Sequence, residues 1–365
     1  MDGLDRRGFL RLLAGLGLCA LGPLPAGAQA APSRSSSVLS PEKGGDRVVA
    51  LSSEKLFPWD GRSRPYVDAV EREELDRLVD AGVKRLTGAA SARQAWRSLF
   101  DYGRGEKVAL KPNLNWIKDG FEKVVTSPQL VGSTIRGLVE HVGVRESDIF
   151  VYDVSRPIPA AYRERVGYDV RYVQRAVSFS ARVYRRIFGD LTSPSQRRVP
   201  LSNRVVTDEG VELGCFVPQV VARCDHLVNL PVLKSHQFVL FSGAMKNLFG
   251  SVVFDNGDTT PRHMHGAHLE DHIAEVAASM RDVTRLVVCD AMAGTWSDER
   301  HGAPERWESF GGGWPSSLFF ARCAVAMDGH LRRVVAAERS LRGLELRSSA
   351  FVERAKELTG CGKNP

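Results

Sequence analysis

The sequence lacks the short motifs that identify the commonest cofactor and catalytic classes. Neither Gly-x-Gly-x-x-Gly, nor a P-loop lysine motif, nor Gly-x-Ser-x-Gly occurs in its 365 residues. Those motifs build dinucleotide sites, phosphate cradles and the nucleophile turn of α/β-hydrolases. Nicotinamide binding, P-loop chemistry and α/β-hydrolase catalysis are therefore disfavoured.

Cysteine is scarce and irregularly spaced. Of the six cysteines, one lies near the N-terminus at Cys19, and no two form a Cys-x-x-Cys pair. The other five are Cys215, Cys224, Cys289, Cys323 and Cys361. Iron–sulfur sites and zinc ribbons need closely spaced thiolates, so neither is expected. For Cys215 and Cys224, a disulfide in an oxidising compartment and two buried free thiols are both open interpretations.

A long uninterrupted apolar run is also missing, so no permanent membrane span is predicted. The N-terminal apolar run is broken by Arg11 and Pro23, whereas a span needs about 20 apolar residues. This run follows Arg6 and Arg7 and ends in Ala-Gln-Ala at 28–30, the layout of a cleavable twin-arginine signal. We therefore predict a signal peptide over 1–30 that is cleaved near Ala30. A flexible tether over 31–44 and a periplasmic location reached through the Tat export machinery complete this prediction.

Positive charge is concentrated in one part of the chain. Residues 156–204 contain eleven arginines, no lysine and three acidic residues, and we predict an arginine-rich insertion there. A nucleic-acid surface is one explanation, but the periplasmic address and the lack of a binding motif disfavour it. A solvated insertion or lid facing an anionic ligand is favoured, with membrane-surface contact as a further alternative.

From residue 45 onwards, short apolar runs alternate with amphipathic stretches. Strands are predicted at 46–52, 107–113, 148–155, 226–234, 285–294 and 318–328, and helices at 66–86, 92–102, 127–143 and 268–280. Such alternation is typical of βαβ units. The prediction is an α/β domain over 45–365 with a mainly parallel sheet flanked by helices, arranged as one body or as two lobes.

Polar side chains follow the predicted strands where each one ends. These are Asn113, Asp153, Lys234 and Asp290, and Lys111 precedes a rigid Pro-Asn step. In open α/β sheets, ligands bind at the edge where the carboxyl ends of the parallel strands meet. We therefore expect a ligand cleft there. Turn formation by Asn113, helix capping by Asp153 and Asp290, and simple solvation of Lys111 are the competing interpretations.

The segment "VLKSHQFVLFSGAMKNLFGS", residues 232–251, places Lys234, His236 and Lys246 in an otherwise apolar stretch. Burying an unpaired ammonium is costly, so the segment forms either the lip of a cleft or an exposed edge. A short helix over "AMKNLFG" would direct Lys246 and Asn247 back towards His236. A lysine among apolar neighbours can have a lowered pKa and act as a nucleophile. On the competing interpretation, Lys246 lies on a solvated helix face and has no role.

Four of the nine histidines lie within "TTPRHMHGAHLEDH", residues 259–272. His263 and His265 point to the same side if the loop is extended, and His268 and His272 share one face of a helix. Imidazole is the commonest metal ligand, so a divalent transition-metal site is one interpretation. A polar loop leading into an amphipathic helix is the other.

Four separated segments carry a family resemblance. They are "VALKPNLNW", "DIFVYDVSR", "VNLPVLKSHQFVLFSGAMKNLFGSV" and "LVVCDAMAGTWS". In this order they resemble the family called domain of unknown function 362, over about residues 105–340. The resemblance implies a fold and no settled activity. Many members carry ferredoxin-type cysteine clusters that this chain lacks, so electron transfer through such clusters is not expected.

The spacing between His236 and Lys246 is also similar to a turn of the nickel-pincer lactate racemases. In that family the lysine tethers the cofactor and a further histidine binds nickel. The resemblance implies a metal-organic cofactor at Lys246. The racemase turn is richer in glycine, which limits how far this implication extends.

The leading hypothesis is a periplasmic enzyme that depends on a metal or a cofactor and acts on a small anionic substrate. Catalysis is assigned to His236, Lys246 and Asp153. Ligand or cofactor binding is assigned to Lys111, Asn113, Lys234 and Asn247, and metal binding to His263, His265 and His268. The alternative is a non-catalytic periplasmic protein that binds a ligand or handles a cofactor in the same cleft. A protein that interacts with a surface through its arginine-rich segment ranks third.

Overall fold

The computed structural model describes residues 47–62, 65–115, 117, 121–174, 190–259, 261–297 and 302–361. The predicted signal peptide, the tether and residues 175–189 of the arginine-rich segment lie outside these ranges. The described strands are β1 (Val49–Ser52), β2 (Val108–Pro112), β3 (Ile149–Asp153), β4 (Arg171–Gln174), β5 (Pro194–Arg198), β6 (Val205–Val206), β7 (Glu212–Leu213), β8 (Cys215–Pro218), β9 (His226–Leu230), β10 (Val232–Lys234), β11 (Val253–Phe254), β12 (Thr284–Thr295) and β13 (Ser317–Ala321). The helices are α1 (Arg72–Thr87), α2 (Ala92–Leu99), α3 (Pro128–Gly137), α4 (Ala160–Val166), α5 (Gln219–Ala222), α6 (Gly243–Asn247), α7 (Leu269–Ser279), α8 (Ala324–Leu341) and α9 (Phe351–Thr359).

One large sheet organises the fold, and it confirms the predicted α/β class. Its strands run in the order β1-β13-β12-β9-β2-β3-β4, with β10 pairing with β12 beyond the end of β9. The pairs from β12 through β9, β2 and β3 to β4 are parallel. The pairs that involve β13 are antiparallel. The mainly parallel sheet therefore brings the carboxyl ends of β2, β3, β9 and β10 to one edge.

Each face of the sheet is covered by its own apolar core. Side chains alternate across the strands, so that Val108 and Leu110 of β2 join one core and Ala109 joins the other. On the first face α1, α2 and α3 pack through buried residues such as Leu75, Trp96 and Leu130. On the second face the buried side chains come from α6, α7, α8 and α9. Strands enclosed on both sides explain the nearly continuous apolar runs in the sequence.

Local sequence determines several helix boundaries as predicted. The Ser127 hydroxyl accepts a hydrogen bond from the Leu130 amide at 3.3 Å, and Pro128 occupies the first turn of α3. A π-helical turn continues α3 through Leu138–Val142 and ends at Gly143, whose φ is 94°. That left-handed conformation favours glycine, which explains why the helix stops there.

One predicted strand boundary was wrong, and so was the predicted position of Asp290 after a strand end. The predicted strand 318–328 ends at Ala321, and its second half forms the start of α8. Both segments are apolar, so hydrophobicity alone does not separate a buried strand from a buried helix. Strand β12 extends to Thr295, which places Asp290 inside the strand rather than after it. Asp290 accepts hydrogen bonds from the Ser127 and Met292 amides, so it holds the start of α3 and not a following helix.

Two small sheets, β11-β8-β5 and β6-β7, accompany the large one. Side chains of the three-stranded sheet, such as Val217 and Phe254, belong to the core of the second face. The two-lobed arrangement is therefore not confirmed. Cys215 and Cys224 are buried free thiols. Over the described ranges, no helix has both the length and the apolar character needed to cross a bilayer.

Candidate functional site

A cavity of about 330 Å³ lies at the carboxyl edge of the large sheet. Its wall combines the ends of β2 and β3, the loop that follows β10, helix α6 and the turn that carries His265. The predicted site residues that line it are Lys111, Asn113, Asp153, His236, Lys246, Asn247 and His265. Residues assigned from four distant parts of the sequence therefore meet in one cleft.

Lys111 and Asp153 form a buried ion pair at the base of the cleft. The Lys111 Nζ lies 2.9 Å from Asp153 Oδ2, and the two side chains are 1% and 3% exposed. The ammonium also donates to the Pro112 carbonyl at 2.8 Å. The other carboxylate oxygen of Asp153 accepts hydrogen bonds from the amide and hydroxyl of Ser155 and the amide of Arg156. Because both charged groups are paired, the neighbouring strands β2 and β3 are tied together at their ends.

Asn247 and Gly250 fit against this pair. The Asn247 amide donates to the Lys111 carbonyl at 3.0 Å and to Asn229 Oδ1 at 2.8 Å. A Cβ at Gly250 would lie 2.9 Å from the Lys111 Nζ and 3.3 Å from Asp153 Oδ1. Any larger residue at position 250 would collide with the ion pair. Asn247 was predicted to bind a ligand, and its amide nitrogen instead connects α6 to β2 and β9.

The loop after β10 folds back over the cleft. The Ser242 amide donates to the Lys234 carbonyl at 2.7 Å, and Ser235 pairs with Phe241. Between these anchors, His236 Nδ1 accepts the Phe238 amide at 3.2 Å. An Nδ1 that accepts this bond leaves the ring proton of a neutral imidazole on Nε2. Burial, with the nearby charge of Lys246 as the next cause, lowers the pKa of His236 to about 2, so the ring is neutral.

Lys246 projects from α6 into the cleft without a carboxylate partner. Its Nζ lies 3.0 Å from His265 Nε2 and 4.8 Å from the centre of the Phe249 ring. No described acidic side chain forms an ion pair with it. Burial lowers the pKa of Lys246 to about 7, and the Lys234 charge acts in the same direction. The solvated-helix interpretation of Lys246 is thus not supported by its 9% exposure.

Helix α6 is held by a buried acid from α8. Asp328 is fully buried, and its carboxylate accepts the Ala244 amide and, at 2.9 Å, the Met245 amide. Gly243 precedes them with a φ of 58°, and a Cβ there would overlap the Asp328 carboxylate. Burial raises the pKa of Asp328 to about 8. Through these two hydrogen bonds Asp328 fixes the turn that presents Lys246.

Lys234 belongs to the same sheet edge but does not line the cavity. Its Nζ is enclosed and has no hydrogen-bond partner among the described residues. Burial, followed by the charge of Lys123, lowers the pKa of Lys234 to about 8. Gly302 lies against this nitrogen, since a Cβ there would come within 2.9 Å of it. The charge of Lys234 contributes to the lowered pKa of both Lys246 and His236, which places Lys234 near the cleft.

The three histidines predicted as metal ligands are not brought together. His265 faces the cleft, with its ring centre 6.0 Å from that of His236. His263 Nε2 instead lies 3.3 Å from Asp258, and the half-exposed His268 lies 3.8 Å from Asp271. Within the described ranges, no three side chains of His, Cys, Asp or Glu are positioned to hold a metal ion.

Two side chains at the mouth of the cleft were not singled out from the sequence. Arg156 lines the cavity and donates to Asn115 Oδ1 at 2.9 Å. Phe238, which is 55% exposed, lines it from the loop above. Asn113 also lines the cleft, and its Oδ1 accepts the Asn115 amide at 3.2 Å, as a turn former does. Arg156 was not singled out because it is one of eleven arginines in the segment 156–204. Phe238 was not singled out because it lies in an apolar stretch that is typical of the core.

Other described arginines of the segment 156–204 make structural contacts. Arg165 forms an ion pair with Asp68 at 2.7 Å, and Arg163 and Arg171 lie over the rings of Tyr172 and Phe150. Arg185 and Arg186 lie outside the described residues. Among the arginines of this segment, Arg156 alone is found along the described wall of the cleft.

The family model for "Domain of unknown function (DUF362)" matches residues 108–328. The chain belongs to this family. The matched range begins with β2 and ends at Asp328, so it contains Lys111, Asp153 and Lys246 with their supports. The predicted family membership is confirmed. No curated protein matches the chain.

Proposed function

We propose that this family member is an enzyme that acts on a small anionic substrate through the uncharged amine of Lys246. The observation that carries the proposal is a buried lysine, free of any described carboxylate partner, with a pKa of about 7 in a cleft at the ligand edge of the sheet. Perturbed titratable groups in clefts are the usual mark of a catalytic site.

The charge of the cleft favours an anion. Among the described residues that line it, Asp153 is the only acidic one, and Lys111 neutralises its charge. Arg156 and the exposed Arg262 contribute positive charge to the lining, and Lys246 does so when it is protonated. A carboxylate or phosphate group is the chemical class that such a set attracts. Phe238 and Phe249 provide apolar surface for the rest of a small organic molecule.

Near neutral pH, Lys246 is present both as an amine and as an ammonium. The amine can accept a proton from a bound substrate or add to its carbonyl carbon. His265, at 3.0 Å, is in reach to exchange a proton with it. His236, neutral and with its proton on Nε2, offers a second donor in the same cleft. We assign catalysis to Lys246 with the two histidines.

The remaining predicted site residues have supporting roles in this proposal. The ion pair of Lys111 and Asp153 fixes the floor of the cleft, and Asn247 holds α6 against it. Asp153 is thus a positioning residue rather than a proton carrier, because both of its oxygens are already bonded. No step of the proposed reaction involves a metal, because His263 and His268 contact Asp258 and Asp271 instead of converging with His265.

Proton abstraction can be tested without knowledge of the natural substrate. Purified protein is incubated in D₂O with a panel of small 2-hydroxy and 2-oxo acids, and exchange at carbon is followed by NMR. We expect exchange with at least one acid, and loss of that exchange in Lys246→Met. The matched control is Lys84→Met, which replaces a lysine in the last turn of α1, outside the cleft.

The non-catalytic alternative predicts anion binding in the cleft without exchange at carbon. Binding is followed through the rate at which trace acetic anhydride acetylates Lys246 at pH 7, because this rate depends on the accessibility and charge of the Lys246 amine. If inorganic phosphate or malonate slows this reaction at constant ionic strength and no acid exchanges, the protein binds anions without turnover. If neither anion slows it, the anion-binding part of the proposal fails.

Export and cofactor loading are a separate part of the proposal. We infer from Arg6, Arg7 and the following apolar run that the protein is exported by the Tat route. Replacing both arginines by lysine should retain the protein in the cytoplasm with its leader uncleaved. Mature periplasmic protein in that variant would contradict the assignment. The intact mass of exported protein tests the competing expectation of a tethered cofactor, because a group bound covalently to Lys246 would add mass and would contradict its action as a free amine.

A further inference from the structure

A second cavity, of about 260 Å³, lies at the opposite edge of the large sheet. It is bounded by the start of β12, the turn between β13 and α8, and the end of α9. Thr284, Cys323 and Cys361 mark these three boundaries. The cavity shares no lining residue with the candidate site, and the proposed function makes no use of it.

Three arginines line this second cavity, and its described lining contains no acidic residue. They are Arg281, Arg285 and Arg322. Arg285 donates to His226 Nδ1 at 3.3 Å and to the Asp282 carbonyl at 2.9 Å, so its charge is not neutralised by a carboxylate there. Neither Arg281 nor Arg322 forms an ion pair with a described residue. The cavity therefore carries a concentrated positive charge.

Two of the five cysteines of the described chain line the same cavity. Cys323 is partly exposed at the N-cap of the 18-residue helix α8, where no side chain caps the first turn. Cys361 follows α9, which ends at Gly360 with a φ of 68°. Both cysteines thus share the lining of one cavity with three arginines. The thiolate is the form of cysteine that attacks a disulfide.

The other three cysteines lie outside this cavity. Burial raises the pKa of Cys215 and Cys224 to about 12, and raises that of Cys289 well above its usual value. Cys289 lies in the middle of β12, and none of the three lines the second cavity. They provide internal controls for the reactivity of Cys323 and Cys361.

We propose that Cys323 and Cys361 form a disulfide by exchange with a small anionic disulfide, and that the three arginines attract that reagent. Oxidised glutathione, which carries several carboxylates, represents this class. The bond closes the chain from 323 to 361 and joins α9 to the beginning of α8. It forms at the edge of the sheet opposite the cleft and involves no residue assigned to the proposed activity.

The exchange balances in two steps. The Cys323 thiolate attacks one sulfur of oxidised glutathione, and the first glutathione leaves as a thiolate. Cys361 loses its proton and attacks the Cys323 sulfur, which breaks the mixed disulfide and releases the second glutathione. Two protein thiols lose two electrons and two protons, and one glutathione disulfide becomes two thiols.

The test uses the full-length chain, first reduced and then exposed to excess oxidised glutathione. Free thiols are blocked with iodoacetamide at intervals, and the digest is analysed by mass spectrometry. We expect a linked peptide pair that contains Cys323 and Cys361, with the other three thiols free until the protein is unfolded. The proposal would be overturned if Cys323 and Cys361 both remained free thiols after long exposure. It would also be overturned if glutathione persisted on Cys323 of the protein without substitutions.

Two variants test the order of the steps and the role of charge. Cys361→Ser should accumulate glutathione on Cys323, because the second thiol is missing. Arg281→Ser combined with Arg322→Ser should slow the reaction with oxidised glutathione about tenfold. The same double variant should leave the rate with neutral hydroxyethyl disulfide nearly unchanged. An equal loss of rate with both reagents would contradict the recruitment by charge.

Discussion

Lys111 and Lys246 are two buried lysines of one cleft, and they differ in what faces the ammonium. Lys111 lies 2.9 Å from the Asp153 carboxylate. Lys246 faces an imidazole nitrogen at 3.0 Å and the Phe249 ring. Removing a lysine from water disfavours its charge, and only an opposite charge nearby restores it. Lys111 is therefore part of an ion pair that supports the structure, while Lys246 releases a proton near neutral pH.

Support and reactivity thus belong to two different lysines of the same cleft. The ion pair joins two strand ends and is enclosed by Asn247 and Gly250, so it has little freedom to take part in chemistry. Lys246 sits on a five-residue helix that Asp328 holds by its first amides. Asp328 thus positions the helix that carries the reactive lysine and forms no ion pair with its amine.

The largest effect is expected from Asp153→Asn. This change keeps an oxygen that can accept the Ser155 and Arg156 amides, and it removes the charge that faces Lys111. Leaving a buried ammonium unpaired costs about 3–5 kcal/mol of folding free energy. Urea unfolding at pH 7 measures this loss.

Lys111→Met combined with Asp153→Asn is the matched control. Because the unpaired charge is then absent, the double variant should be more stable than Asp153→Asn alone. If the single change costs less than about 1 kcal/mol, the ion pair does not support the fold as described.

Lys246→Met should act in the opposite direction and depend on pH. The pKa of Lys246 falls from 10.5 in the unfolded chain to about 7 in the folded protein. At pH 6 both states are charged, so the native protein bears the full cost of burying the ammonium. As pH rises from about 7 to 10.5 the folded state is neutral first, and that cost disappears. The variant should therefore be more stable than the native protein by a few kcal/mol at pH 6.

The difference should shrink steadily towards pH 10.5. Denaturant unfolding of both proteins at several pH values gives this curve directly. The prediction fails if Lys246→Met is less stable than the native protein at pH 6, or if the difference in unfolding free energy does not change with pH. Either result would show that Lys246 stays charged in the folded protein.

The sequence predicted the class of fold because its signals are local. The apolar runs of β2, β3, β9 and β12 and the capped start of α3 belong to single segments. The boundary between β13 and α8 was missed because both are buried and apolar. Parallel strands also bring their carboxyl ends to one edge, which is why Lys111 and Asp153 could be expected to meet.

The partners of those residues could not be predicted in the same way. Asp328 lies 82 residues beyond Lys246 in the sequence, and nothing near it indicates that it holds α6. His263, His265 and His268 are close in sequence, but a short helical turn, Pro261–Met264, and the start of α7 direct them to different neighbours. Contacts between distant segments decide which polar residues share a site, and a single sequence does not specify them.

The smallest effect concerns the contact between Lys246 and His265. His265→Leu removes the acceptor at 3.0 Å from the ammonium, which further disfavours the charged form. One hydrogen bond contributes about 0.5–1.5 kcal/mol, so the pKa of Lys246 should fall by up to about one unit. The midpoint of Lys246 acetylation against pH measures this shift. His265→Gln retains an acceptor and should stay closer to the native midpoint. A midpoint that rises in His265→Leu would mean that His265 carries a positive charge beside Lys246, and the proton exchange between them would have to be reversed.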